Sequence, residues 1–129
     1  MNKILIALLF ISVILSGCGF SSDGSTTLLR ESINAKGGKK AILFLRESGA
    51  TVPNSYQVSV TDTAHSLEKS EVGNTFIVDA NHGATSLDSA SIHFNWLPND
   101  TLCIDFDKKL RTFIKKTSVD GVTILYQPR

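Results

Sequence analysis

From Leu28 onward, short runs of Ile, Val, Leu, Phe and Thr are separated by groups of Gly, Pro, Asn and Asp, and no stretch sustains the apolar spacing of a long helix. The pattern predicts strands near Leu28 to Ile33, Ala41 to Arg46, Tyr56 to Thr61, Thr75 to Asp79, Ile92 to Trp96, Leu102 to Phe106, Thr112 to Lys116 and Val122 to Tyr126. Ala41-Ile42-Leu43-Phe44-Leu45 is apolar at every position, as expected of a mid-sheet strand covered on both faces. In contrast, Tyr56, Val58 and Val60 alternate with Gln57, Ser59 and Thr61, and Ile92, Phe94 and Trp96 alternate with His93 and Asn95, which predicts one wet face on each of these strands. Gly37-Gly38, Pro98-Asn99-Asp100 and Asp120-Gly121 lie between apolar runs and predict hairpin turns, so sequential strands are expected to pair antiparallel. Only Asp62 to Glu71, where Thr63, Ala64, Leu67 and Glu68 are compatible with a turn or two, leaves room for a short helix.

The expected fold class is therefore all-β, with antiparallel strands in two packed sheets. Asn34 to Lys40 before Ala41 to Leu45 echoes Trp96 to Asp100 before Thr101 to Phe106. Two such units cannot close a propeller ring, so a sandwich or two blade-like four-stranded units is expected.

The N-terminus carries a different pattern. Lys3 is followed by twelve apolar or small residues from Ile4 to Leu15, then by Ser16, Gly17 and Cys18. Charge, apolar core and small residues in that order make a secretory signal. As a helix at ~1.5 Å per residue the apolar stretch covers ~18 Å, short of a ~30 Å hydrocarbon layer. Leu15-Ser16-Gly17-Cys18 resembles the lipobox of bacterial lipoproteins at all four positions. That resemblance implies cleavage between Gly17 and Cys18, with the thiol of Cys18 taking a diacylglyceryl group and its freed amine open to acylation, for example by palmitate. The alternatives are a single-pass anchor or a non-lipidated signal with an incidental cysteine. The expected organisation is a signal peptide over residues 1–17, the lipidated cysteine and a Gly/Ser/Asp tether over 18–25, and one domain over 26–129. The protein is expected at the cell membrane or outer membrane, held by membrane lipid and facing the periplasm or exterior. Gly19 after Cys18 lacks the aspartate that can retain lipoproteins at an inner membrane, which favours the outer membrane in a two-membrane cell.

Charge narrows the partners. Removing residues 1–17 from the 129 leaves 112 and takes Lys3 from the 13 basic side chains, so 12 Lys and Arg balance 12 Asp and Glu. A neutral chain gives no electrostatic reason to expect nucleic acid. Lys39-Lys40 and the series Lys108, Lys109, Arg111, Lys115 and Lys116 are expected as solvated edges and turns. With Cys18 consumed by lipid, Cys103 has no intrachain partner and reads as a small buried hydrophobe in Thr101 to Phe106.

Candidate chemistry is sparse. His65, His82 and His93 have no metal-pair spacing, so each is expected as an ordinary hydrogen-bonded or exposed histidine. Asp79-Ala80-Asn81-His82-Gly83-Ala84-Thr85 has oxygen ligands at alternate positions but Ala90 where a calcium loop carries its bidentate acid, so a strand-ending turn is expected. No Gly-x-Ser-x-Gly elbow is present, and Gly37-Gly38-Lys39 leads into a strand, not the helix a phosphate cradle needs. Asp105 and Asp107 share a strand face, but Lys108 and Lys109 follow and suggest a solvated edge. Neither a metal nor another cofactor is expected, and nothing argues for an enzyme. The stretch from Arg46 to Ser55 is longer than a hairpin needs, which makes Arg46, Gly49, Ala50 and Thr51 a candidate binding loop, with a plain connection across the sheet edge as the alternative.

Arg46 with Gly49-Ala50-Thr51, Ser55 to Val60, Gly73 to Asp79, and Trp96 with Leu102 and Ile104 resemble a family of small uncharacterised bacterial lipoproteins. The resemblance implies one β-rich domain behind a lipid anchor and carries no activity or catalytic residue. The first functional expectation is a non-catalytic domain that binds an envelope protein or component. Alternatives are an immunity or inhibitor lipoprotein against a toxin or envelope hydrolase, and an enzyme assembled from distant loops.

Overall fold

The computed structural model describes residues 24–129, so the signal peptide, Gly17, Cys18 and nearly all of the tether lie outside the described residues. Nine strands follow one another: β1 (Ser25–Ile33), β2 (Lys39–Glu47), β3 (Ser55–Asp62), β4 (Phe76–Asp79), β5 (Ile92–Leu97), β6 (Thr101–Phe106), β7 (Arg111–Lys115), β8 (Ser118–Val119) and β9 (Val122–Pro128). They form a five-stranded sheet in the order β1-β2-β3-β4-β7 and a four-stranded sheet in the order β5-β6-β9-β8. The all-β, two-sheet expectation holds, and no helix among the described residues is long and apolar enough to cross a membrane.

The three turn sequences each close a hairpin. Val119 faces Val122 across Asp120-Gly121, both with positive φ (52° and 81°), the backbone that matches strand twist in a two-residue turn. Leu97 faces Thr101 across a turn in which Asn99 and Asp100 take φ of 62° and 50°, and Ile33 faces Lys40 across Gly37. Consecutive strands that pair do so antiparallel, but β9 runs parallel to β6. The cause is β7, which leaves β6 to join β4 in the other sheet, so the chain re-enters beside β6 in the same direction after a crossover. The units are consequently five and four strands, not two blades of four.

Alternation decides the core. Ala41, Leu43, Tyr56, Val58, Val60, Phe76 and Val78 of one sheet meet Ile92, Phe94, Leu102, Ile104, Phe106, Val122 and Ile124 of the other in one apolar cluster. Phe76 stacks at 5.0 Å from Phe106 and 5.3 Å from Tyr126. On one side the sheets are stitched by side chains: Trp96 Nε1 donates to the Ser32 carbonyl at 2.9 Å, Arg30 Nη1 to that of Ile92 at 3.0 Å, and Asn34 Nδ2 to Asp100 at 3.2 Å. The last contact brings together the tips of the two hairpins whose sequences echo each other.

Three expectations are corrected. Residues 63–74 form no helix but a strap of isolated turns over the outer face of the five-stranded sheet, because its amides find acceptors elsewhere. His65 N closes only a local turn on the Asp62 carbonyl, while Thr63 N donates to the Gly38 carbonyl, Gly73 N to Gln57 Oε1 at 2.7 Å and Asn74 N to Ser59 Oγ at 3.1 Å. For the same reason β3 has no wet face at its centre: Gln57 and Ser59 are 4 % and 1 % exposed, polar because the strap needs their hydrogen bonds. β6 is no edge either, since it lies between β5 and β9, and Asp105 is ion-paired with Arg129. On β5, by contrast, His93 and Asn95 are exposed while Ile92 and Phe94 are buried, as the alternation predicts. Cys103 is buried and free.

Candidate functional site

The five-stranded sheet carries apolar side chains on its outer face as well as in the core. The strand registers put Leu28, Phe44, Gln57 and Ile77 in one row across β1 to β4, and Thr26, Arg46, Ser55, Asp79 and Arg111 in the row toward the end where the described chain begins. Between the loop after β2 and the strands β4 and β7 this face opens into a groove of about 310 Å³, walled mainly by Val52, Pro53, Ile77 and Phe113. Phe113 is 56 % exposed and Val52 52 % exposed. Phe113 has no residue opposite it, because the register between β4 and β7 shifts there: Ile77 faces Ile114 while Val78 faces Thr112. The bulge turns an aromatic ring onto the outer face.

A rigid polar wall stands beside the ring. Arg111 grips Asp79 with two hydrogen bonds, Nε to Oδ1 at 3.1 Å and Nη2 to Oδ2 at 2.5 Å, and its guanidinium lies 4.8 Å from the Phe113 ring centre. Nη1 donates to His82 Nε2 at 2.9 Å, which assigns the neutral imidazole its proton on Nδ1. The Arg111 hydrogen bond holds the Asp79 carboxyl below the usual carboxylate range against the opposing effect of burial, and the Asn81 backbone N–H at 2.8 Å adds to it. A carboxylate so held is a poor proton acceptor, and an arginine with three of its five N–H donors engaged and its charge paired by Asp79 offers less to an incoming anion. The arrangement suits shape recognition of an apolar side chain.

The turn after β4 supports this wall. Asn81, His82 and Gly83 take φ of 50°, 55° and 84° in succession, which places the imidazole over Arg111 and makes the stretch from Asp79 to Thr85 the strand-ending turn its sequence predicts. Among the described residues no three His, Cys, Asp or Glu side chains gather as metal ligands. His65 pairs with Glu71 at 2.6 Å, far from His82 in the fold's connectivity and on the strap.

The loop expected to bind is divided. Arg46 lies within β2, opposite Thr26 and Ser55, and its Nη1 donates to the Glu71 carbonyl at 2.6 Å, so it fastens the strap. Gly49, with φ of 99°, and the exposed Ala50 and Thr51 form the loop tip and do not line the groove. Ser48, Val52 and Pro53 of the same loop do. The sequence reading takes Asp79 only as part of a strand-ending turn and Arg111 only as one of a solvated basic series, and it passes over Phe113, whose adjacent apolar partner Ile114 breaks the strand alternation and is the one local signal of the site.

No protein-family description, curated protein or solved structure matches this chain.

Proposed function

We propose that the chain is a bacterial lipoprotein, cleaved after Gly17 and lipidated at Cys18, whose β domain is a non-catalytic binding module held close to its membrane. The observation that carries this reading is Leu15-Ser16-Gly17-Cys18 directly behind a charged and apolar leader. Two or three acyl chains, at ~0.8 kcal/mol per buried methylene, anchor a protein far more firmly than one. The groove supports a binding role near the bilayer. It opens at the end of the sheet where Ser25 pairs with Glu47, and six peptide units from Cys18 to Gly24 reach at most ~21 Å. The partner is an envelope protein presenting an apolar side chain to Phe113, Val52 and Pro53.

Metabolic labelling with an alkynyl fatty acid tests the anchor: label and membrane retention are expected in the native chain and lost in Cys18→Ala. Label retained by Cys18→Ala contradicts lipidation at this cysteine. In-cell crosslinking from a photoreactive residue at position 113 tests the binding role, with one envelope protein captured by the tethered form and lost in Cys18→Ala. Capture of a toxin or hydrolase encoded beside this chain would make it an immunity or inhibitor lipoprotein, and capture of nothing specific would count against a binding role for the groove.

A further inference from the structure

A second hollow, of about 670 Å³, lies on the same outer face under the strap and beside β1 and β2. The strap is tied down at both ends and along its second half: Thr63 Oγ1 donates to the Gly37 carbonyl at 2.6 Å, Thr26 Oγ1 to the Glu68 carbonyl at 2.8 Å, Arg46 to the Glu71 carbonyl and Gly73 N to Gln57, while His65 and Glu71 brace it internally. Between these ties the strap stands off the sheet and leaves a space lined by Leu28 and Ile42 from the sheet and Leu67 from the strap. A volume of that order is within the usual range of small-molecule sites.

The polar part of this lining is unusual. Lys40, expected from sequence as a solvated lysine, is only 8 % exposed, and Glu31 Oε2 at 3.3 Å is its sole hydrogen-bond partner among the described residues. An ammonium has three donors, and a charge-assisted bond is ordinarily ~2.7–2.9 Å, so one long contact leaves this buried cation underfilled. Lys69, also on the lining, has no carboxylate partner among the described residues. The lining therefore carries two lysines and one glutamate beside an apolar floor, its His65 being taken up by Glu71.

We propose that this hollow binds a small organic monoanion, its carboxylate received by Lys40 and Lys69 and its short aliphatic or aromatic body laid against Leu28, Ile42 and Leu67. The excess of one cation matches one negative charge, and Glu31 opposes the second charge of a phosphate dianion. The site depends neither on the lipid anchor nor on the Phe113 groove.

The test is an amide-resolved NMR titration of the mature chain, residues 18–129 carrying Cys18→Ala, so that the result does not depend on lipidation. The probes are octanoate, its uncharged analogue octanamide, and inorganic phosphate. Octanoate is expected to give saturable shifts at Lys40, Ile42 and Leu67, octanamide to bind about tenfold more weakly, and phosphate to leave these amides unmoved. Lys40→Met is expected to weaken octanoate about tenfold while keeping a dispersed spectrum. Should Lys40→Met fail to fold, Lys69→Met on the strap decides, with a several-fold loss expected. The proposal is overturned if octanoate gives no saturable shifts, if octanamide or phosphate binds as well, or if affinity is unchanged in the folded lysine variant.

Discussion

Asp79 sits at a strand end almost out of water, and its charge is kept there by two bonds from Arg111 and one backbone N–H. Its depressed folded-state pKa means that the native state holds fewer protons than the unfolded chain at mildly acid pH. The stability it contributes is full above the unfolded value of about 3.9 and is lost as pH falls through the folded value. Asp79→Asn is accordingly expected to lower the denaturant midpoint at pH 7 and to flatten the loss of stability below pH ~4, read from urea melts across that range. Tyr126 behaves in the opposite sense. Burial pushes its phenol up to about 12, while the hydroxyl donates to the Lys116 carbonyl at 2.6 Å, a bond only the neutral form can make. Stability from this group is present below pH ~10 and lost as pH rises through the folded value. Tyr126→Phe should remove the absorbance transition near pH 12 at 295 nm and cost about 1 kcal/mol at neutral pH.

At the scale of elements, the strap is where polarity misleads. Alternation in β3 correctly separates Tyr56, Val58 and Val60 from Gln57 and Ser59, but it reports which face a side chain takes and not what lies over that face. The eight strands predicted from apolar runs and the three turns are all present, because each depends on local alternation or on residues that tolerate positive φ. β8 escapes because two residues, Ser118 and Val119, are too few to show a period. Residues 62–71 are compatible in sequence with a turn or two of helix, but tertiary contacts prevail, and just beyond them Gly73 passes so close to β3 that a Cβ there would lie 2.9 Å from the Gln57 Cβ and 3.1 Å from the Val58 carbonyl oxygen. Gly73→Ala should lift the strap and cost about 1–3 kcal/mol. Hydrogen exchange offers the decisive reading, with faster exchange at Gly73 and Asn74 expected and unchanged β6 and β9 amides as the control. The binding loop was legible only as a loop of unusual length. Its groove depends on a bulge at Phe113, which is set by pairing with β4.

At the scale of the molecule, one cluster of side chains holds both sheets, and Phe76 is fully buried where aromatic rings from both meet. Phe76→Ala is expected to cost about 3–5 kcal/mol in a chemical melt, with a single cooperative transition. Two transitions would show that the sheets unfold separately. The parallel pairing of β6 with β9 was not legible, because strand direction follows from which sheet β7 joins, and its polar and apolar positions fit either one.

The exchange of β7 also bears on how such a chain can be cut. A break between β4 and β5 gives a front piece whose β4 lacks its outer neighbour and a rear piece holding a five-residue strand with no sheet to join. Neither piece is a self-sufficient module, so the echo between the two halves does not mark a seam. A dissection that kept each sheet whole would instead have to reconnect the chain around β7, a rewiring and not a truncation.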